Sequence, residues 1–274
     1  MTNSNTLCKE LLRRLRAEED ISEKREIIYY LAECRTGFTK SEIVQGKATP
    51  LCAADFESDL ARLNNYEPVQ YVTGIAWFCG RKFSVNSEVL IPRPETEELV
   101  QLVKNYKPRS PSVLDVGTGS GCLAVSLALE IPNAAVSALD ISEGALTVAK
   151  ENAKLLRADV RFFLMDALTE MPSGEYDFIV SNPPYIAPQD MEKLPPVVRF
   201  EPVIALTPGN RNFYQSLSDR RHLLKPSGKM ILEFVPNESV TEESLIAIFR
   251  DKGFSKATVR SSAISNVGFL IAER

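Results

Sequence analysis

The spacing of apolar residues changes character along the chain, and each change marks a region. Over the first 66 residues it follows a helix. Cys8, Leu11, Leu12 and Leu15 fall at i, i+3, i+4 and i+7, one helical face. Ile27, Tyr30, Leu31 and Cys34 repeat that spacing with Gly37 as a stop, and Phe56, Leu60 and Leu63 predict another helix before Asn64-Asn65. Such short stripes predict a small helical cap rather than a coiled coil. From Gln70 to Val85 the pattern becomes strand-prone. Val69, Tyr71, Val72, Trp77, Phe78, Phe83 and Val85, with Gly74 and Gly80 between them, read as a β-hairpin linking two domains. Pro92-Arg93-Pro94, followed by Glu95-Thr96-Glu97-Glu98, puts prolines and acids where a helix starts.

Beyond Pro111 strands and helices alternate. Strands are predicted at 112–116, 134–140, 160–164, 178–181, 229–234, 256–260 and 268–272. Helices are predicted at 120–130, from Ser142 onward, and over 212–224, and Ser239-Val240-Thr241-Glu242 reads as a capping box opening a last helix. The alternation predicts an α/β fold with a doubly wound, mainly parallel sheet covered on both faces. The chain therefore reads as a helical domain over 1–68, a hairpin linker over 69–88 and a sheet domain over 89–274.

Composition narrows the class. Of the 274 residues, 44% are hydrophobic and 25% charged, as in an ordinary globular protein. No apolar run approaches the roughly 18 residues of a membrane span. The N-terminus carries Lys9, Arg13 and Arg14 among its leucines and lacks a signal peptide's apolar core, so a cytoplasmic protein is expected. A net charge of −4 argues against a partner held mainly through phosphates, so neither nucleic acid nor membrane is expected as a direct partner. The five cysteines show no paired metal-ligand spacing, which predicts free thiols and no metal site. His222 is the only histidine, and a solvated position late in a helix is expected for it.

Candidate chemistry begins at 113–121, where a strand runs into Gly117-Thr118-Gly119-Ser120-Gly121 and then a helix. Gly117 and Gly119 would let a ligand approach bare backbone, while Gly121 would permit close helix packing. Asp140, ending the next strand, is placed to bind the hydroxyls of a ribose. Two ligand classes fit such a turn. NAD needs a helix N-terminus for its pyrophosphate. S-adenosylmethionine has no phosphate, but its amino-acid end needs polar backbone and an acid such as Asp115. Asp166, after the third strand of this region, suits the amino group of an adenine.

The stretch Ser181-Asn182-Pro183-Pro184-Tyr185-Ile186 leaves a strand by a stiff route. The prolines fix φ and restrict their predecessors, so the Asn182 side-chain oxygen and a backbone carbonyl near Pro183 become fixed acceptors. Two acceptors side by side fit one NH₂ group, and Tyr185 offers a flat face for stacking. That arrangement suits methylation of a planar, poorly nucleophilic nitrogen, through alignment and fixed dipoles.

Asn182-Pro183-Pro184-Tyr185 looks like the motif of amino-group N-methyltransferases acting on adenine, cytosine or glutamine. Together with Glu67-Pro68-Val69-Gln70-Tyr71 and Ile91-Pro92-Arg93-Pro94-Glu95-Thr96-Glu97, it resembles the HemK/PrmC family, the N5-glutamine methyltransferases of peptide chain release factors. The resemblance implies a Rossmann-like class I S-adenosylmethionine-dependent methyltransferase sheet with a small helical N-terminal domain and a β-hairpin linker. It implies S-adenosyl-L-methionine as cofactor, S-adenosyl-L-homocysteine as product, and the glutamine of a Gly-Gly-Gln loop in a bacterial release factor as substrate. Asn182, Pro183 and Tyr185 would be catalytic. Asp115, the turn from Gly117 through Thr118, Gly119 and Ser120 to Gly121, Asp140, Asp166, Ala167 and Asn182 would hold the cofactor. Asn182, Pro183, Pro184, Tyr185, Arg93 and Glu95 would meet the substrate. The family often has an aromatic residue where this chain has Ala167.

Overall fold

The computed structural model describes residues 1–17, 20–209, 212–237 and 240–274. They form two compact units, 1–75 with 195–200 and 76–194 with 201–274.

In the first unit a short strand β1 (Thr2–Asn3) leads into α1 (Ser4–Arg14), α2 (Ile21–Thr36) and α3 (Lys40–Val44). Strand β2 (Ala48–Thr49) pairs antiparallel with β1, and α4 (Glu57–Asn64) and α5 (Val69–Thr73) follow. The helical stripes meet in one core that includes Leu11, Leu31, Phe56 and Leu60. The buried arc of α2 is centred on Ile28, Leu31 and Ala32, so Ile27, Tyr30 and Cys34 lie at its margin. Tyr30 uses that position to donate its hydroxyl to the Ile75 carbonyl at 2.8 Å. Gly37 ends α2 at φ 73°, as its spacing predicts.

Residues 69–73 correct the sequence reading: they are helical. Gly74 closes α5 at φ 74°, and Val69, Tyr71 and Val72 are buried. Arg62 pairs with Glu67 and donates to the carbonyls of Tyr71 and Val72 at 3.1 and 3.2 Å. Burial and these bonds override the strand propensity of the side chains. The hairpin is confined to β3 (Ile75–Phe78) and β4 (Arg81–Ser84), and Cys79 and Gly80 turn it at positive φ.

In the second unit α6 (Glu97–Asn105) follows a 3-10 turn at Pro94–Thr96. Then come β5 (Ser112–Val116), α7 (Cys122–Glu130), β6 (Ala135–Asp140), α8 (Glu143–Leu156), β7 (Val160–Leu164) and β8 (Tyr176–Ser181). The remaining elements are α9 (Val203–Leu206), α10 (Phe213–Ser218), β9 (Leu224–Phe234), α11 (Glu242–Asp251), β10 (Lys256–Ser261) and β11 (Gly268–Glu273). The sheet is seven-stranded, in the order β10-β11-β9-β8-β5-β6-β7. It is parallel except for β11, which runs antiparallel to both neighbours. Successive residues of the central strands alternate between two cores. Val113, Phe178 and Val180 pack with Leu99, Leu123 and Val125 on one face, and Leu114, Ile179 and Met230 with Leu217, Leu245 and Phe249 on the other.

The predicted helix over 212–224 is shorter: α10 ends at Ser218, and His222 sits exposed in a 3-10 turn, Arg221–Leu223. Strand β9 starts at Leu224, ahead of the predicted 229, because Lys225-Pro226-Ser227-Gly228 is a bulge rather than a turn. Tyr176 pairs with Leu224 and Phe178 with Lys229, so the ladder continues across it. Ser239, read as a capping residue, lies outside the described residues. The described cap of α11 is Thr241, which exchanges bonds with Ser244.

Asn152 of α8, fully buried, joins β4 to the turn after β5. It accepts from Ser84 N at 2.7 Å and donates to the carbonyls of Ser84 and Ser120 at 2.9 and 2.8 Å. Beside it Gly121 has φ +79°, and a Cβ there would lie 3.0 Å from Ala149 Cβ and 3.1 Å from Ala149 Cα. Gly121→Ala is expected to cost about 2 kcal/mol of unfolding free energy through strain and crowding. Urea denaturation checks it, and an unchanged midpoint would contradict close packing here.

Candidate active site

The site is built where the winding of the sheet reverses, between β5 and β8. The Ser181 hydroxyl donates to the Val116 carbonyl at 2.6 Å, tying the carboxyl ends of these two strands together inside the protein. A loop leaves each strand from this clasp, and the crevice between such loops is where open α/β sheets bind ligands.

After β5, Gly117 N and Thr118 N both donate to the Leu139 carbonyl, at 2.9 and 3.0 Å. Gly119 N donates to Asp140 Oδ2 at 2.9 Å, and Asp140 Oδ1 accepts from Ser142 N at 2.9 Å. Burial pushes the Asp140 carboxyl up, and the backbone N–H groups oppose it. With Ile141 N–H also acting on it, the carboxylate keeps acceptor capacity beyond these backbone bonds. A Cβ at Gly117 or Gly119 would meet no protein atom within 4 Å, so bare backbone faces open space there. Asp115 is fully enclosed. Its Oδ2 accepts from Thr118 Oγ1 at 2.7 Å, and burial pushes its carboxyl up to about 7.

A cavity of about 490 Å³ opens over this backbone. Small-molecule sites run from roughly 300 to 1,000 Å³, so a nucleoside with an amino-acid tail fits the space. Of the residues predicted from sequence, Gly117, Gly119, Asp140, Asp166, Ala167, Asn182 and Pro184 line it. Asp115, Thr118 and Ser120 are buried outside that lining, as is Pro183, and Gly121 packs on Ala149. Ile141, Ile204 and Phe213 also line the cavity and were missed by sequence reasoning. Phe213 is its aromatic wall and packs on the cluster that contains Ala167.

After β8, the loop 182–186 is held at its far end by Ile186 N, which donates to the Leu206 carbonyl at 2.9 Å. Asn182 Nδ2 donates to Thr96 Oγ1 at 3.0 Å, and Thr96 Oγ1 donates to Glu233 Oε2 at 2.8 Å. The Tyr214 hydroxyl donates to the Glu233 carbonyl at 3.1 Å. Among the described residues none donates to Asn182 Oδ1, so its oxygen stays available. The Tyr185 phenol is pushed up to about 12, by burial first and then by the Glu233 charge, with Arg93, Glu95 and Glu201 also acting on it. These groups therefore share one neighbourhood. Arg93 donates to Glu201 Oε1 at 2.6 Å, and Glu201 Oε2 accepts from Ile91 N at 3.2 Å, so Arg93 is tied into the loop it sits on. Thr96 and Glu233 were not singled out from sequence. The one available signal was a lone acid in the apolar strand Met230-Ile231-Leu232-Glu233-Phe234.

Solved structures share this architecture. A methyltransferase from Pyrococcus furiosus is 16% identical with a TM-score of 0.54, over 80% of this chain and 98% of that one. The T. thermophilus 16S rRNA N2 G1207 methyltransferase, solved with AdoMet and guanosine, is 18% identical with a TM-score of 0.50, over 73% of this chain and 49% of that one. The fold is the Rossmann-like one of class I methyltransferases. Residues 76–195 match the methyltransferase small domain and residues 6–74 the PrmC N-terminal domain. The release factor glutamine methyltransferase of Bacteroides thetaiotaomicron is 41% identical over 207 residues, 72% of this chain and 74% of the relative. That of Enterococcus faecalis is 41% identical over 196 residues, 70% and 71%. The chain belongs to the release factor glutamine methyltransferase family.

The buried acid behind the turn gives a pH test. Asp115 holds its proton more tightly folded than unfolded. Its contribution to stability is complete below the ordinary carboxylate pKa of about 4 and is lost as pH rises through about 7. Asp115→Asn keeps an acceptor for Thr118 without a titrating proton. Urea unfolding of the ligand-free protein at about pH 5 and about pH 8 is expected to show Asp115→Asn gaining on the parent at the higher pH, by on the order of 1 kcal/mol. An equal difference at both values would contradict the burial of an ionisable group.

Proposed function

We propose that this protein transfers a methyl group from S-adenosyl-L-methionine to the side-chain amide N5 of the glutamine in the Gly-Gly-Gln motif of a bacterial peptide chain release factor. It leaves S-adenosyl-L-homocysteine, modulates translation termination and works in the cytoplasm. The helical N-terminal unit contributes to recognition of the release factor. The observation that carries the reading is the state of Asn182: its nitrogen is engaged by Thr96 and its oxygen is left as an acceptor on a cavity floored by bare glycine backbone.

Gly117 and Gly119, Asp140 and the Asp166-Ala167 turn would hold the cofactor, and Phe213 and Ile204 would wall the adenine. When bound, S-adenosylmethionine supplies a methyl group made electrophilic by its sulfonium. The chain's own residues do the rest. Asn182 Oδ1 and the Pro183 carbonyl accept the two N–H groups of the glutamine amide, returning electron density to a nitrogen whose lone pair is otherwise delocalised. Pro183 and Pro184 hold those acceptors still, and Tyr185 stacks on the amide plane. Alignment at about 3 Å and fixed dipoles in a cavity with apolar walls supply the rate enhancement. The methylated nitrogen is acidic and gives up its proton late, so the exposed position of His222 is consistent with a site that uses no imidazole base.

Incubation with a release factor and methyl-labelled cofactor is expected to label the Gly-Gly-Gln peptide. Label on DNA instead would assign the site to a base. Asn182→Ala is expected to lower kcat by about a hundredfold with cofactor affinity changed less than about threefold, and Asp140→Ala to weaken cofactor binding by about tenfold or more. Calorimetry and steady-state kinetics separate the two, and equal losses in both quantities for Asn182→Ala would make it a cofactor residue only.

A further inference from the structure

Thr96 and Glu233 are 4% and 1% exposed, polar, and outside the cavity lining. A hydroxyl has one proton. Thr96 gives its proton to Glu233 Oε2, so toward Asn182 its oxygen can only accept, and there it accepts from Nδ2. Donation therefore runs one way, from Asn182 to Thr96 to Glu233. An ionised carboxylate cannot donate, so the direction is set at Glu233.

The direction matters because an asparagine amide is nearly symmetric in shape. A half-turn about its terminal torsion exchanges oxygen and nitrogen within the same space. The prolines after Asn182 fix its backbone but not that torsion. In the turned state an NH₂ would face the incoming NH₂, donor against donor. We propose that Thr96 and Glu233 are positioning residues that set the polarity of the Asn182 amide, so that its oxygen and not its nitrogen meets the substrate nitrogen. The proposal rests on the reading that Asn182 accepts from the glutamine amide.

The choice of a buried acid supports it. A glutamine would fill the same volume without the cost of burying a charge, but it could donate as well as accept. The Glu233 carboxyl is pushed up to about 7, by burial first, with Glu95 and Glu98 adding and the Thr96 hydroxyl and Arg93 opposing. The Tyr185 and Tyr214 phenols feel its charge as well. Once protonated, Glu233 can donate to Thr96, which frees the Thr96 proton for Asn182 Oδ1 and favours the turned amide. Turnover therefore falls on the acidic side as Glu233 takes up its proton.

The test uses the full chain with a release factor as substrate and the variants Thr96→Val, Thr96→Ser, Glu233→Gln and Asn182→Ala. Thr96→Val, nearly isosteric, is expected to lower kcat about tenfold or more, with S-adenosylhomocysteine affinity by calorimetry within about twofold of the parent. Thr96→Ser restores most of the lost turnover. Glu233→Gln lowers kcat and removes the acidic limb of its pH profile. Independently of activity, the Asn182 side-chain amide protons followed by 15N NMR exchange faster with solvent in Thr96→Val. If Asn182→Ala is inactive while Thr96→Val turns over like the parent, the positioning role is overturned. A joint fall of kcat, S-adenosylhomocysteine affinity and melting temperature in Thr96→Val, with no rescue by serine, also overturns it in favour of a packing role. An active Asn182→Ala overturns the reading of the site beneath it.

Discussion

The short bond from the Ser181 hydroxyl to the Val116 carbonyl is the joint on which the site depends. It closes the carboxyl ends of β5 and β8, the neighbouring parallel strands from which the glycine turn and the Asn-Pro-Pro-Tyr loop depart. Both strands are buried on both faces, so packing holds their ends from either side. Asn152 reinforces one side from behind, holding the Ser120 carbonyl of the glycine turn to the backbone of β4. A methyl transfer that works by alignment needs this stiffness, because a misplacement of the acceptor by an ångström loses much of the gain.

The acids divide by the partners they keep. Asp59 and Glu201 are gripped by Arg35 and Arg93, which satisfies them and makes them joints within the fold. Asp140 and Glu233 are held instead by neutral donors, backbone N–H groups in one case and a hydroxyl in the other. Held that way, a carboxylate is oriented yet keeps acceptor capacity and electrostatic influence. Burial raises the pKa of both, because neutral donors offset only part of the cost of enclosing the charge.

Much of this was legible in the sequence because it is local. The alternation after Pro111 shows the sheet, and the glycine turn and the stiff Asn-Pro-Pro-Tyr exit both declare themselves within a few residues. The failures also have local causes. Val69, Tyr71 and Val72 look like strand because their side chains suit one, but Arg62 and burial decide for a helix. Lys225-Pro226-Ser227-Gly228, outside the predicted strand, is a bulge that the strand runs through. What stayed hidden is long-range. Thr96 is 137 positions from Glu233 and 86 from Asn182, and its neighbours explain it fully as part of a helix start. No periodicity links Phe213 to Ala167 either, and only the folded chain shows them meeting at one cavity.

In the proposed reaction a fixed asparagine oxygen grips the glutamine nitrogen while its own nitrogen is held by Thr96. A crystal structure with S-adenosylhomocysteine and a Gly-Gly-Gln peptide is the decisive test. Asn182 Oδ1 is expected at about 3 Å from the glutamine side-chain nitrogen, with Nδ2 still on Thr96 Oγ1. A glutamine bound elsewhere, or facing Nδ2 with the amide turned, would contradict it.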